Sequence, residues 1–355
     1  MEKIRLGIIG VGQISVREHL PAFYQDSRCR VIAVADPDES RIRLAQEDFG
    51  VPGAYLDWRC MLAEAELDAI TIATPPRFHH EIAMAVLEKG IPILLEKPVT
   101  VDLEQLDDII AASQAKACLV MAKQPFRYEA VFDLGKQVIE RGELGVILAV
   151  QARFGHPGPQ HWAPDSPWYF HRDVAGGGVL MDLGVHIIDT VCYLLGDEAV
   201  KVGAVMGTRR AGCEVEDQAS VIAEFSQGTI ASINADWNSM PGHVSIQVSG
   251  TEAGMVCEWY PEPKVEIYPC LERVRTVTGE ETGERGVVKR RVELPAASRW
   301  GGAYRHFIDC LAEEVAPVSP IQDVRNSMAI IFSSYASGGC LQAEKLALWD
   351  RRLKE

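Results

Sequence analysis

Ile4-Arg-Leu-Gly-Ile-Ile-Gly-Val-Gly-Gln-Ile-Ser15 is a short apolar run that breaks into a glycine turn, and a helical pattern follows over residues 14–25. Strand, glycine turn and helix in that order is the setting in which a G-x-G-x-x-G/A-like spacing carries meaning. Gly10 permits the tight turn, and Gly12 lets the backbone approach a pyrophosphate. Ser15 takes the small-residue place where helix packs on strand. Gln13 and Ile14, on the same turn, are further candidate cofactor contacts. Pro21 lies inside the helical pattern and should kink it. The next apolar run, Arg30-Val-Ile-Ala-Val-Ala-Asp36, ends in an acid placed to hydrogen-bond the ribose hydroxyls of an adenosine. Asp36, with Asp38 and Glu39 after it, would repel a 2′-phosphate, which favours NAD over NADP. Arg41 and Arg43 on the following helix pull the other way. In Asp36-Pro-Asp38 the first carboxylate can also cap that helix.

Strand and helix patterns keep alternating: strands at 68–73, 91–95 and 118–121, helices at 76–89 and 101–115. Strands without polar faces that alternate with helices predict a parallel sheet covered on both sides. Ligands of such a sheet bind beyond the carboxyl ends of its strands. Thr74-Pro75-Pro76 and Glu96-Lys97-Pro98 stand at two of those ends, where the nicotinamide end of a cofactor would lie. Lys97 is held between an apolar strand and a proline, so its ammonium is aimed. It could polarise a substrate oxygen or, once desolvated, titrate near neutrality; alternatively it is a plain surface lysine.

Past residue 122 the pattern changes to a helix at 129–141 and a strand at 146–154. A loop follows, dense in aromatic and polar groups from His156 to Arg172. Trp162 and Tyr169 in that loop could pack on sugar C–H surfaces, which makes it a candidate substrate lid. It leads into Gly176-Gly-Gly-Val-Leu-Met-Asp-Leu-Gly-Val-His-Ile-Ile-Asp189. Three glycines able to take positive φ, an apolar run and a stop at Gly196 predict a buried helix. Asp182, His186 and Asp189 share one stripe of it, either as an i,i+4 surface pair or as an acid/base pair in a cleft. Strand patterns follow at 200–205, 218–225, 229–238, 244–249, 254–258 and 264–268, with a hairpin turn at Ser226-Gln-Gly-Thr229. Neither face of 230–235 is strongly polar, which suggests a homo-oligomer, a dimer or tetramer, covering the sheet. Residues 279–291 read as an exposed turn, and helices at 299–313 and 324–346 close the chain.

At 355 residues and 47% hydrophobic the chain can bury two cores. Neither a membrane-span pattern nor an export signal is visible, so a cytoplasmic location is expected. Nine cysteines, odd in number and without Cys-x-x-Cys, predict reduced thiols rather than disulfides or a zinc knuckle. The net charge of −15 disfavours nucleic acid and acidic membrane and leaves a small molecule as the expected ligand. His79 and His80 point some 100° apart on a helix, so no metal site is expected.

Four signals in this order, Gly10-x-Gly12-x-x-Ser15 with Asp36, Ala73-Thr-Pro-Pro-x-x-His79, Glu96-Lys-Pro98, and Gly176-Gly-Gly178 to Asp182-x-x-x-His186, resemble the Gfo/Idh/MocA oxidoreductases. The resemblance covers essentially the whole chain. It implies a Rossmann-type parallel-sheet domain, residues 1–122. An α/β domain with an open, mostly antiparallel sheet, residues 123–355, would bind substrate and oligomerise. It implies NAD(P)-dependent hydride transfer with a secondary hydroxyl of a sugar, cyclitol or related polyol. It makes Lys97, Asp182 and His186 the catalytic group. Of these, His186, with an unperturbed pKa of about 6.5, is the expected general base, and Asp182 would orient it or hydrogen-bond a neighbouring hydroxyl. Thr74, Pro75, His79 and Glu96 then lie near the cofactor, and Arg127 faces substrate. Ser15 in place of the third glycine and the doubled His79-His80 depart from the family pattern. A non-catalytic NAD-binding regulator and an NAD-dependent glycoside hydrolase are the rival readings.

Overall fold

A computed structural model describes residues 2–210, 212–269, 289–294 and 301–337. Its first sheet contains β1 (Ile4–Ile9), β2 (Cys29–Ala35), β3 (Gly53–Tyr55), β4 (Ala69–Ile72), β5 (Ile93–Leu95) and β6 (Val120–Ala122). All six are parallel, in the spatial order β3-β2-β1-β4-β5-β6. Between them run α1 (Leu20–Gln25), α2 (Glu39–Phe49), α3 (Trp58–Glu64), α4 (His79–Glu88) and α5 (Leu103–Lys116). Asp38, Asp57 and Asp102 cap α2, α3 and α5 by accepting from backbone N–H groups two or three residues on. The Rossmann-type expectation stands, with strand order reversing between β1 and β4 where ligands bind. The edge strand β3 is too short and half-exposed to show a periodic pattern. Pro21 does not break its helix. A π-helical turn, Ser15–His19, runs directly into α1, and Pro21 is the second residue of α1, just past that turn.

Beyond α6 (Ala130–Glu140) come β7 (Ile147–Gly155), α7 (Arg172–Ala175), α8 (Val185–Leu195), β8 (Ala199–Gly207), β9 (Gln218–Phe225), β10 (Ile230–Asp236) and β11 (His243–Gly250). They are followed by β12 (Ala253–Tyr260), β13 (Lys264–Pro269), β14 (Arg290–Val292), α9 (Gly302–Glu313) and α10 (Arg325–Ser337). The second sheet has the order β14-β13-β12-β11-β7-β10-β9-β8 and is antiparallel except where β10 pairs with β7. Gly228, at φ 88, turns the expected hairpin between β9 and β10. One face of this sheet is apolar and closed by the chain's own helices: Val150, Ala152, Val221, Ile233 and Ile246 pack in one core with Ile187, Val191 and Leu194 of α8. The other face is open and mixed, Ile222 and Ile230 standing exposed among serine, glutamine and asparagine positions. The alternation over 230–235 therefore encodes an inside and an outside, not two equivalent faces.

The run Arg172–Leu195 is long and apolar enough to cross a membrane, yet 89% of its most apolar stretch is buried inside the protein. Near the end of the chain α9 returns to the first sheet, where Tyr304, Phe307 and Ile308 pack with Leu6, Ile8 and Phe23. Cys29, Cys118, Cys192, Cys257 and Cys310 are buried free thiols, whereas Cys60 is exposed. Of the turn expected at 279–291, residues 279–288 lie outside the described residues, and Arg290 and Arg291 are not turn but strand, pairing in β14 with β13; the helix extension expected at 338–346 also lies outside the described residues.

Candidate functional site

The carboxyl ends of β1, β2, β4 and β5 open into a cleft of about 730 Å³ that continues to the start of α8. At the end of β1, Gly10 has φ +92, and a Cβ there would run into the Ala73 backbone. Only glycine satisfies both conditions. The Ser15 hydroxyl donates to the Gly10 carbonyl and so ties the turn to the helix that follows it. Asp36 faces the cleft while its carboxylate accepts the Val11 N–H at 2.8 Å and the Asp38 N–H at 2.9 Å. Arg41 reaches to 3.8 Å of the same carboxylate. Gly12, Gln13, Ile14, Thr74, Pro75, Glu96 and Lys97 all line the cleft. Two of them, Gln13 through Oε1 and Thr74 through Oγ1, bury a polar atom with no partner among the described residues. Such atoms need a ligand or water. The cradle fits an extended dinucleotide, with Asp36 at the ribose end and Thr74 to Lys97 at the other.

His79 does not line the cleft. Its ring is buried behind it, Nε2 at 2.8 Å from the Thr74 carbonyl and Nδ1 at 3.0 Å from that of Pro98, so it packs between both strand tips from outside and, as a neutral imidazole, donates to one of the two carbonyls. Burial holds its basicity below the ordinary value.

The buried helix that carries Asp182 and His186 opens with a π-helical turn, Leu180–Gly184, continues as α8 and stops at Gly196 in the left-handed region. Of the three glycines before it, only Gly176 takes positive φ. Gly177 and Gly178 are glycines for another reason: the Tyr335 hydroxyl and the Glu216 backbone occupy the space a Cβ would need.

Asp182 and His186 both face the cleft, but the carboxylate does not orient the imidazole. Its Oδ1 accepts from Lys97 Nζ at 3.1 Å, and Oδ2 accepts from the indole N–H of Trp237 at 3.1 Å. The Asp182 carbonyl takes Lys97 Nζ as well, at 3.1 Å. A charge-assisted partner and a buried indole outcompete a neighbour on the same helix. His156 Nε2 stands 4.0 Å from the same carboxylate. The His186 ring packs 5.4 Å from Phe126 and 6.1 Å from Phe154, and its Nδ1 is buried without a partner among the described residues. Burial, and after it the positive charges of Lys97 and Lys123, push its basicity well below 6.5. His186 is thus a neutral imidazole at neutral pH, not the unperturbed histidine expected from sequence.

Glu96 joins a buried polar network that sequence reasoning missed. It meets His19 Nε2 at 2.9 Å and Lys123 Nζ at 3.2 Å, and Lys123 meets Glu18 at 2.7 Å. Burial opposes ionisation of Glu96, but Lys123 and His19 outweigh it and hold the carboxyl far below its usual range. Lys123 follows the end of β6, so the strand-end rule that singles out Lys97 also reaches it.

Arg127 does not face substrate. It is buried in a two-pronged pair with Asp189, 2.8 Å on each prong, and donates to the Val318 carbonyl at 3.0 Å. Asp189 therefore serves Arg127 rather than the cleft. Trp162 and Tyr169 do line the cleft. Their rings meet edge-on at 5.3 Å, and Trp168 stacks on Tyr169 at 3.9 Å. Burial and the neighbouring Asp182 charge keep the Tyr169 phenol well above its ordinary pKa, so it can donate a hydrogen bond but not ionise.

Two family models match this chain. One is described as the oxidoreductase family, NAD-binding Rossmann fold, over residues 4–124; the other is the GFO/IDH/MocA C-terminal domain, over residues 132–256. A levoglucosan dehydrogenase of Pseudarthrobacter phenanthrenivorans is 27% identical over 305 residues, 75% of this chain and 76% of that protein. Among solved structures, an oxidoreductase domain protein from Kribbella flavida superposes with a TM-score of 0.83 at 20% identity, over 96% of this chain and 98% of that one. A levoglucosan dehydrogenase in complex with NADH and levoglucosan does so at 0.80 and 23%, over 96% and 98%. These two likenesses concern the fold.

Proposed function

The chain belongs to the Gfo/Idh/MocA oxidoreductase family, and from that premise we propose that it is an NAD-dependent dehydrogenase acting on a secondary hydroxyl of a sugar, cyclitol or related polyol. The observation that carries the reading is the contact of Lys97 with Asp182. It joins a strand tip of the nucleotide cradle to the buried helix that carries His186, across one cleft. A nicotinamide dinucleotide bound in the cradle supplies the hydride acceptor or donor.

The chain's own residues do the proton work. Neutral His186 takes the hydroxyl proton, and Lys97 Nζ stabilises the charge that develops on the oxygen. Asp182, held by Trp237, fixes the ammonium and leaves its second lone pairs for a neighbouring hydroxyl. Trp162 and Tyr169 offer the flat apolar surface on which a sugar ring rests. Asp36 supports NAD over NADP, since a 2′-phosphate would meet its carboxylate; Arg41 is the residue that could reverse the preference.

The test is a screen of sugars and cyclitols with NAD and NADP, followed by absorbance of the reduced nicotinamide. Net NADH formation with at least one substrate is expected. Turnover of glycosides without net NADH would favour the hydrolase reading, and nucleotide binding without any turnover would favour the regulator.

A further inference from the structure

We propose that Glu216 is a positioning residue for this reaction: with Tyr335 it fixes the first turn of the helix that carries Asp182 and His186. The inference rests on the reading of that helix as catalytic.

A helix begins with backbone N–H groups that have no partner within it. Here three consecutive ones, from residues 178, 179 and 180, are all met by a single residue distant in sequence. Glu216 Oε1 accepts from the Gly178 N–H at 3.0 Å and the Leu180 N–H at 3.1 Å, and Oε2 shares the former at 3.0 Å. Its main-chain carbonyl accepts the Val179 N–H at 2.9 Å. Tyr335, from α10, donates its hydroxyl to Oε1 at 2.8 Å. Glu216 is buried, and Tyr335 beside it is half-buried. An acidic group at a helix N-terminus also suits the direction of the helix dipole. Gly177 and Gly178 make room for this grip, because side chains there would collide with Tyr335 and Glu216.

The next residue holds the other end of the same site. The Asp217 carbonyl accepts the Trp237 N–H at 2.8 Å, and the Trp237 indole in turn holds the Asp182 carboxylate. Asp182 is bonded back to the turn by its own N–H, 3.0 Å from the Gly178 carbonyl. Residues 216 and 217 thus set both the backbone and the side chain of Asp182 against Lys97, which arrives from another sheet. Glu216 lines neither side of the cleft and touches no substrate, so its effect passes through these contacts.

A cap that only added stability would lower the melting temperature and leave turnover of the folded fraction intact. A positioning residue changes kcat. Glu216→Ala is expected to lower kcat by roughly 30- to 100-fold, the scale of a misplacement of about 1 Å. NADH affinity, measured by fluorescence titration without substrate, should stay within about twofold, because the cradle is built on the first sheet. Amide hydrogen exchange should quicken over residues 178–187 and not across the two sheets. Glu216→Gln keeps the Oε1 acceptor for the Gly178 and Leu180 N–H groups but turns an NH2 toward Gly178 in place of Oε2, and it should recover part of the loss. If the alanine variant does not fold, Tyr335→Phe, which deletes one hydrogen bond and almost no volume, should still lower kcat several-fold by loosening the grip. Unchanged kcat in a folded variant overturns the proposal. So does a uniform rise in exchange with nucleotide affinity and kcat falling together. Normal turnover in Lys97→Ala and His186→Ala would instead sink the catalytic reading, while the exchange pattern would still report whether Glu216 holds the helix.

Discussion

Lys97, Asp182 and His186 divide the work differently from what their spacing suggests. An i,i+4 acid and histidine read naturally as a pair, yet the carboxylate spends its hydrogen bonds on Lys97 and Trp237. The partners that decide its role lie 85 and 55 residues away, beyond the reach of a periodicity argument. The same blindness explains Arg127 and Asp189, a pair 62 residues apart whose mutual burial no local pattern announces. Lys97 itself was legible because a strand end followed by proline is a local signal. At this scale the prediction is that Lys97→Ala and His186→Ala each lower kcat by a factor of roughly 10² or more, with NADH affinity nearly kept. Steady-state kinetics on the best substrate of the screen would check it, and near-normal turnover in either variant would remove that residue from the mechanism. By contrast, Asp189→Asn should leave the kinetics of the folded protein unaltered. It should cost about 1.5–3 kcal/mol of stability by weakening the two-pronged pair with the buried Arg127, which keeps Asp323 at 3.6 Å as its remaining carboxylate; denaturant unfolding would show it.

The elements were mostly recoverable from sequence because strands buried on both faces and capped helices leave strong local marks. Two kinds of detail were not. The π-helical turns Ser15–His19 and Leu180–Gly184 depend on what packs around them, not on composition. The loop from His156 to Arg172 carried a clear aromatic density, but its role as a strap between the sheets comes from cross-chain bonds. Arg17, two residues past Ser15, donates to the Trp162 carbonyl at 2.8 Å, and Gln13 reaches Asp165 at 3.5 Å. The strap therefore closes over the glycine turn that would hold a pyrophosphate, and it runs on into the helix that carries Asp182. Nucleotide should leave only when this strap lifts. Arg17→Met is expected to speed NADH release by roughly tenfold, in keeping with the loss of one charge-assisted hydrogen bond. Stopped-flow displacement of NADH would measure it; an unaltered rate would mean that the strap does not gate the nucleotide.

At the scale of the whole molecule, several buried ionisable groups make stability depend on pH in a direction that can be worked out. Burial keeps His79, His156 and His186 neutral in the fold, each less basic than in the unfolded chain. Below about pH 6.5 the unfolded chain takes up protons at these positions that the fold refuses, so stability falls as pH drops. Glu96 acts in the same direction but later. Lys123 and His19 keep it ionised in the fold, so its contribution is present above the ordinary glutamate range and is lost as pH falls beneath it. Each uncompensated proton changes stability by up to about 1.4 kcal/mol per pH unit. The melting temperature should therefore be nearly level from pH 7 to 8.5, decline from about pH 6.5 downward, and steepen below about pH 4.5. None of this was visible from composition, since nine histidines in a chain of net charge −15 do not say which are buried. Calorimetric scans across that range test it, with His186→Gln as the control that should shallow the decline between pH 6.5 and 5. A wild-type profile that stays level down to pH 5 would mean that these imidazoles accept protons in the fold as readily as in the unfolded chain, and His186 would then be an ordinary histidine base instead of one depressed by burial.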